Sequence, residues 1–153
     1  MIAVLQRVKN AEVIADGVLS GKISHGLYIL LGVSKDDTKE DSSVLAQKIS
    51  KLRIFTDSNG KMNLSVNDVE GEALVVSNFT LNANYSHGNR PEYMASAAPE
   101  IANMLYEHFI NELGALVKNV EHGVFGAHME TSMTTDGPVT IVMSSEVLLG
   151  GKK

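Results

Sequence analysis

One short run of the sequence, residues 27–33 (LYILLGV), is apolar at nearly every position. This composition predicts a strand that is covered on both faces, because a strand with one solvated face would alternate apolar and polar residues. Any fold of this chain must therefore supply cover on both sides of that strand. The chain has 153 residues, which fits one domain with a substantial core.

Other segments show the spacing of apolar residues that is typical of strands or helices. Residues 11–23 predict a hairpin that turns at Asp16-Gly17. Thr38, followed by Asp41, predicts a capped helix that ends near Leu52, with Leu45, Ile49 and Leu52 as its buried stripe. Further predicted strands cover residues 2–8, 53–55, 73–81, 116–120, 128–134 and 139–143.

A second helix is predicted from Pro99 to Gly114, since proline suits the first turn and glycine the end. Its expected buried face is Ile101, Leu105, Phe109 and Leu113. Two helices cannot cover both faces of so many strands. The order of elements therefore predicts an α/β domain over residues 1–149 with a two-layer β arrangement and helices on one side, followed by a flexible tail at 150–153.

The bulk composition excludes several classes of function. The net charge is −5, from 13 basic and 18 acidic residues, which disfavours broad, non-specific binding of nucleic acid. The chain has no cysteine and therefore no thiolate chemistry. No apolar run approaches the roughly 18 residues of a membrane span, and the N-terminus does not read as a signal peptide. We expect a cytoplasmic protein that does not contact membranes.

Residues 77–81 (SNFTL) are the first candidate site, because the predicted strand becomes polar there. Ser77 and Thr80 carry hydroxyls that would serve either as nucleophiles or as caps of backbone groups. No obvious base accompanies them in the sequence, and none of the five histidines has the spacing of a metal site. Both readings of the hydroxyls stay open at this point.

Three other stretches each have two readings. Arg90 lies in a polar loop and is either a solvated side chain or a phosphate contact. Residues 125–129 (FGAHM) form either close strand packing or a flat pocket in which a base stacks. Gly137-Pro138 is either an ordinary turn or a shaped backbone surface against a ligand. Taken singly, these residues do not predict a reaction.

In combination the sequence resembles the D-aminoacyl-tRNA deacylase family over nearly its whole length. The matching stretches are residues 3–8 (AVLQRV), 26–27, 31–33 (LGV), 51–55 (KLRIF), 60–63 (GKMN), 74–77 (LVVS), 88–91 (GNRP), 97–99 (AAP), 105–107 (LYE), 125–127 (FGA) and 136–140 (DGPVT). The family's two signature motifs are Ser-Gln-x-Thr-Leu and Asn-x-Gly-Pro-x-Thr. This chain departs from each by one residue, with Asn78 in place of Gln and Thr135 in place of Asn.

The resemblance implies a three-layer β/β/α sandwich and an intertwined homodimer with two active sites at its interface. It implies hydrolysis of the ester that joins a D-amino acid, or mischarged glycine, to the 3′ end of tRNA, with no metal and no cofactor. It implies a cis Gly-Pro bond that one subunit inserts into its partner's site. Main-chain N–H groups of Phe79 and Thr80 would stabilise an oxyanion, and Thr80 would be a nucleophile or a positioning group, in a route that uses the ribose hydroxyl.

The same resemblance assigns the site residues in three groups. The catalytic group is Ser77, Asn78, Phe79 and Thr80. The chiral gate is Thr135, Gly137, Pro138 and Thr140. The walls of an adenine pocket, with a phosphate contact, are Ala97, Ala98, Phe125, Met129 and Arg90.

Two alternatives remain at the level of sequence. The first is a related deacylase with a trans Gly-Pro bond and relaxed chirality, which the change at Thr135 keeps open. The second is a non-catalytic module that binds RNA ends, in which Asn78 and Thr135 mark a decayed site.

Overall fold

A six-stranded mixed sheet dominates residues 1–151, the part of the chain that the computed structural model describes. The strands are β1 (Ile2–Ala15), β2 (Val18–Ile23), β3 (Gly26–Gly32), β4 (Phe55–Thr56), β5 (Met62–Leu64), β6 (Glu72–Ser77), β7 (Val120–His122) and β8 (Met129–Ser144). The helices are α1 (Lys39–Ser50), a 3₁₀ helix (Phe79–Asn82), α2 (Pro99–Gly114) and α3 (Ser145–Leu148). Strands β4 and β5 form a separate ribbon. The α/β class is therefore confirmed.

Strand β1 organises the sheet because it pairs with three other strands. Residues 2–8 pair with β3, residues 11–15 pair with β2, and β8 pairs along almost the whole length of β1. Beyond β3 the sheet continues in parallel through β6 to β7. The two segments predicted at 2–8 and 11–15 are thus one continuous strand, and the predicted hairpin turn has positive φ angles at Asp16 (49°) and Gly17 (82°).

The prediction that the strand at 27–33 is covered on both faces is confirmed. Leu27, Ile29 and Leu31 of β3 belong to one buried cluster, which includes Leu45 of α1 and Phe109 of α2. The alternate residues face the other way, where a second buried cluster forms. That second cluster consists of Val8, Ala11, Val13, Ile23, Tyr28, Leu74 and Val76.

Helix α1 begins where the capping pattern predicts. The Thr38 N–H and hydroxyl donate to Asp41 Oδ2 at 2.8 and 3.0 Å, and together they form a capping box. Helix α2 begins at Pro99, also as predicted. Its predicted buried face is wrong at Ile101, which is 46% exposed. Positions four apart drift by roughly 40° each around a helix of 3.6 residues per turn, so Ala102 and Tyr106 complete the buried face instead.

Other sequence predictions need correction. The strand predicted at 73–81 ends at Ser77, and a 3₁₀ helix follows. The strand predicted at 116–120 begins only at Val120, the first residue of β7, because Leu116 and Val117 donate to Leu113 O and continue the end of α2. The strand at 53–55 is reduced to β4, and β5 was not predicted.

The C-terminal strands predicted at 128–134 and 139–143 form one strand, β8. After α3, Gly150 and Gly151 donate to Val147 O and Glu146 O at 3.4 and 2.8 Å. Residues 152–153, the rest of the predicted tail, lie outside the described residues. Among the residues described, no helix is both long and apolar enough to cross a membrane.

A buried ion pair joins the start of β1 to the helices. The amino group of Met1 donates to Asp37 Oδ1 at 2.5 Å and to Ser145 Oγ at 2.8 Å, and both members of the ion pair are almost completely buried. Ser145 Oγ donates in turn to Asp41 Oδ1 at 2.7 Å. This network fixes α1, α3 and the loop before α1 against Met1, the residue that precedes β1.

Replacing one charge of this pair tests how much the network contributes. We expect Asp37→Asn to lower the free energy of unfolding by about 3–5 kcal/mol, because it leaves the amino group buried without its counter-charge. Asp36→Asn is the matched control, since Asp36 is exposed beside it. The measurement is urea unfolding, and equal values for the two variants would contradict the expected role of the pair.

Candidate active site

A cavity of about 530 Å³ opens at the carboxyl ends of the parallel strands β3 and β6. Ends of parallel strands meet at one edge of a sheet, and ligands commonly bind there. The lining residues come from both strand ends, the 3₁₀ helix, the loop before α2, α2 itself and the loop before β8. They are Leu31, Val33, Ser77, Asn78, Phe79, Tyr93, Ser96, Ala97, Pro99, Ala102, Tyr106, Phe125, Gly126, Ala127 and Met129.

The inner wall of the cavity is apolar and partly aromatic. The rings of Tyr106 and Phe125 lie 6.0 Å apart at an angle of 47°. The Tyr106 hydroxyl donates to Val75 O at 3.0 Å, and burial raises the pKa of this phenol, so the group stays protonated and acts as a donor. Small residues at 126 and 127 leave room beside the rings. Such a wall suits a flat aromatic ligand such as a nucleobase.

Two more aromatic rings stand at the mouth of the cavity. Phe79 and Tyr93 pack edge to face, with ring centroids 5.0 Å apart. Ser96 Oγ donates to Phe79 O at 3.2 Å and ties the loop before α2 to the 3₁₀ helix. Tyr93 and Tyr106 were not among the predicted site residues, since a tyrosine in a loop or on a helix face carries no distinctive sequence pattern.

The polar corner of the cavity is built by Asn78 and Thr80. Asn78 Oδ1 accepts the Thr80 N–H at 3.2 Å and also the Thr80 hydroxyl. The Thr80 N–H, predicted to be an oxyanion donor, is therefore already engaged by Asn78 in this structure. Within residues 1–151 the Phe79 N–H meets no acceptor, so it is the available main-chain donor. The Thr80 hydroxyl oxygen can still accept a hydrogen bond.

The structure thus brings together only part of the predicted site. Arg90 and Ala98 do not line the cavity; Arg90 is exposed in its loop, and Ala98 precedes α2. Thr80 adjoins the cavity through Asn78. The predicted residues that line it are Ser77, Asn78, Phe79, Ala97, Phe125 and Met129. The described residues contain no cluster of three or more histidine, cysteine, aspartate or glutamate side chains able to hold a metal.

The Gly137-Pro138 pair lies in a wide bulge of the edge strand β8. Gln6 pairs with Thr140 and Val8 with Thr135, so residues 136–139 stand opposite the single residue Arg7. The Gly137–Pro138 peptide bond is cis. All four predicted gate residues are exposed, at or beside this bulge.

Arg7 anchors the base of the bulge. It is only 9% exposed, and its Nε donates to Asp136 O at 2.8 Å and lies 3.2 Å from Asp136 Oδ2. Its Nη1 donates to Ile54 O at 2.7 Å. The planar guanidinium therefore joins the bulge to the segment before β4. Sequence reasoning missed this role, because Arg7 reads only as part of an alternating strand.

The bulge and the cavity lie at different ends of the same strand pairing. Arg7, opposite the bulge, pairs with Leu27, whereas Leu31, in the cavity wall, pairs with Ala3. Four residues of strand separate these positions, which is roughly 13 Å. None of the predicted gate residues lines the cavity of its own chain.

The chain is similar to known proteins by family model, by sequence and by structure. A family model described as D-Tyr-tRNA(Tyr) deacylase matches residues 4–144. A protein named D-aminoacyl-tRNA deacylase from Thermosipho africanus is 55% identical over 146 residues, which cover 95% of this chain and 98% of the relative. One of the same name from Caldicellulosiruptor saccharolyticus is 51% identical over the same shares. A solved structure described as c-Myc DNA Unwinding Element Binding Protein superposes with a TM-score of 0.88 and is 37% identical, covering 94% of this chain and 98% of that one.

The anchor of the bulge can be tested without any assay of activity. We expect Arg7→Met to lower the free energy of unfolding by about 2–3 kcal/mol, since it leaves Ile54 O and Asp136 O without their charged donor. Hydrogen exchange at residues 135–139 should become faster, while exchange in β3 and β6 stays slow. Arg7→Lys is the control and should give an intermediate effect, because one ammonium group cannot reproduce the fork of donors. Unchanged exchange in the bulge of Arg7→Met would exclude the anchoring role.

Proposed function

The chain belongs to the D-Tyr-tRNA(Tyr) deacylase family, and we propose that it hydrolyses the ester of D-aminoacyl-tRNA, releasing the free D-amino acid and tRNA. The observation that carries the proposal is the cavity at the end of β6, which combines an apolar slot for a flat ring with a polar corner at Asn78 and Thr80. In the proposal the terminal adenine occupies the slot between Phe125 and Met129. The scissile ester then lies at the polar corner.

The polar corner supports a route in which the substrate supplies its own reactive group. Among the described residues, no histidine lines the cavity, and the Thr80 hydroxyl donates a hydrogen bond to Asn78, which is not a base. Thr80 therefore acts as a positioning group, whose oxygen accepts a hydrogen bond from water or from the ribose hydroxyl. The Phe79 N–H stabilises the oxyanion that develops on the ester carbonyl, and such a donor typically contributes about 3 kcal/mol.

We propose that the gate acts in a homodimer, where the bulge of one subunit enters the cavity of the other. Three features support this: the bulge is exposed, it lies roughly 13 Å along the strand from its own cavity, and β8 carries a large apolar side chain, Val142, that is 71% exposed. Buried clusters on both faces of β3 agree with a three-layer β/β/α packing.

The proposed gate selects by exclusion. The carbonyls of Gly137 and Pro138 would hold the α-amino group, so that an L side chain would collide with the same backbone while a D side chain would point away. Glycine has no side chain to reject and is proposed as a second substrate. Main-chain atoms suit this role because most substitutions leave them in place.

Two other functions are separable by experiment. A deacylase without chiral selection would hydrolyse L-aminoacyl-tRNA equally well, and an RNA-end-binding module would bind the substrate without turnover. Binding to a DNA element, which the name of one structural relative mentions, is disfavoured here by the net charge of −5.

The first test compares three charged tRNAs. We expect rapid hydrolysis of D-Tyr-tRNA and Gly-tRNA and little hydrolysis of L-Tyr-tRNA, because only the L side chain meets the backbone of the gate. Release of the radiolabelled amino acid measures the three rates. Cleavage of L-Tyr-tRNA at a rate similar to the D form would refute the chiral gate, and binding with no cleavage of any substrate would refute the hydrolase.

The second test asks whether the gate acts across subunits. A Cβ on Gly137 would lie 2.1 Å from Val139 N, so Gly137→Ala must deform the bulge. We expect homodimers of Gly137→Ala and of Thr80→Ala to be weakly active on D-Tyr-tRNA. Mixed dimers, purified with two affinity tags, should regain about half of the wild-type rate, because one of their two sites combines an intact cavity with an intact bulge. A mixed dimer no more active than its parents would place the gate within one chain.

A further inference from the structure

Exposed aromatic and methionine side chains are carried by two segments that contribute to the mouth of the cavity. Phe79, Tyr85 and Met94 are 59%, 78% and 81% exposed, and Tyr93 is partly exposed beside them. Phe79 belongs to the 3₁₀ helix, and the other three belong to the loop that precedes α2. We call these four residues the rim. Large apolar side chains grouped at the surface in this way mark a surface that binds something.

The loop that carries the rim is held by its own hydrogen bonds. Asn84 and Glu92 exchange backbone bonds of 2.9 Å, and the Asn84 amide donates to Glu92 Oε1 at 2.8 Å. Glu92 Oε2 accepts the Met94 N–H at 3.0 Å, and the Lys35 N–H donates to Ala95 O at 2.9 Å. The backbone that carries the rim side chains is therefore ordered before binding, which lowers the entropic cost of binding a ligand there.

The two tyrosines of the rim flank an isolated bridge in the loop. Tyr85 follows Asn84 and Tyr93 follows Glu92, the two residues that the bridge pairs. The bridge therefore holds the backbones of Tyr85 and Tyr93 near each other. Tyr93 also lines the cavity and packs against Phe79. The rim is therefore joined to the cavity wall through Phe79 and Tyr93.

The chemistry of the rim fits unpaired nucleotides. Bases stack on tyrosine and phenylalanine with little dependence on sequence, and the methionine thioether makes adaptable contacts with aromatic rings. Both carboxylate oxygens of Glu92 are occupied by donors from its own loop, while Arg90 at the tip of the loop is exposed. Because the chain has a net charge of −5, its electrostatic attraction to phosphates is weak, and stacking compensates for this weakness in the free energy of binding.

We propose that the rim is a stacking platform for the single-stranded nucleotides that precede the terminal adenosine of the tRNA. This inference rests on the proposed function, since it is the adenosine in the cavity that directs the preceding strand across the rim. Tyr85 and Met94 then contribute to binding of the tRNA end without touching the ester.

The test compares D-Tyr-tRNA with 2′(3′)-O-D-tyrosyladenosine, which keeps the ester and the terminal adenosine but lacks all the preceding nucleotides. We expect Tyr85→Ala to raise KM for D-Tyr-tRNA by roughly fivefold or more, the loss typical of one stacked base, with kcat unchanged. KM for D-tyrosyladenosine should not change. Tyr85→Phe should retain wild-type values, and Leu19→Ala, which removes exposed apolar surface from β2, is the matched control.

A binding measurement separates this inference from the proposed function. The dissociation constant of a fluorescent RNA hairpin with an uncharged CCA 3′ end, measured by anisotropy, should rise for Tyr85→Ala and Met94→Ala but not for Leu19→Ala. If the wild type fails to hydrolyse either substrate, the proposed function fails, and this comparison still decides the role of the rim. Equal dissociation constants would overturn the platform. So would a change in oligomeric state of Tyr85→Ala by analytical ultracentrifugation, which would make the rim a subunit contact.

Discussion

The backbone pairing of β1 is the constraint on which the rest of the structure depends. The first half of β1 pairs with β3 and its second half pairs with β2, while β8 pairs along the other edge of β1. The first pairing places β3 in the centre of the sheet and, through it, the ends of β3 and β6 where the cavity opens. The pairing with β8 fixes the position of the bulge opposite Arg7. One strand therefore sets the places of both parts of the candidate site.

The two parts of the site depend on different kinds of group. The cavity is defined by side chains, whose rings and amide shape a slot and a polar corner. The bulge is defined by its backbone, and the side chain that holds it, Arg7, donates to main-chain oxygens of Asp136 and Ile54. In our proposal, substitutions in the cavity would alter recognition of the adenine ring, whereas the shape of the bulge would respond chiefly to changes in its anchor or at Gly137.

Local patterns predicted much of the fold because the features concerned are short-range. The cap at Thr38, the turn at Asp16 and the doubly covered strand β3 each follow from neighbouring residues. The ends of strands were less predictable, since Asn78 redirects the chain by accepting the Thr80 N–H. The roles of Arg7, Tyr93 and Tyr106 depend on contacts with residues far along the chain. No local sequence pattern predicts such contacts. Several site residues were found through the family motifs rather than through physical reasoning on single residues.

The bulge in β8 also bears on how the protein avoids uncontrolled association. An edge strand presents a row of unpaired N–H and C=O groups, which is a template for adding further strands without end. Here four residues of β8 stand opposite one residue of β1, and Pro138 lacks an N–H. The row of unpaired N–H and C=O groups is therefore interrupted near the middle of β8, the longest strand. Straight addition of another strand along the whole edge is thereby blocked. The bulge, which serves substrate recognition in our proposal, therefore also protects the protein against fibre formation.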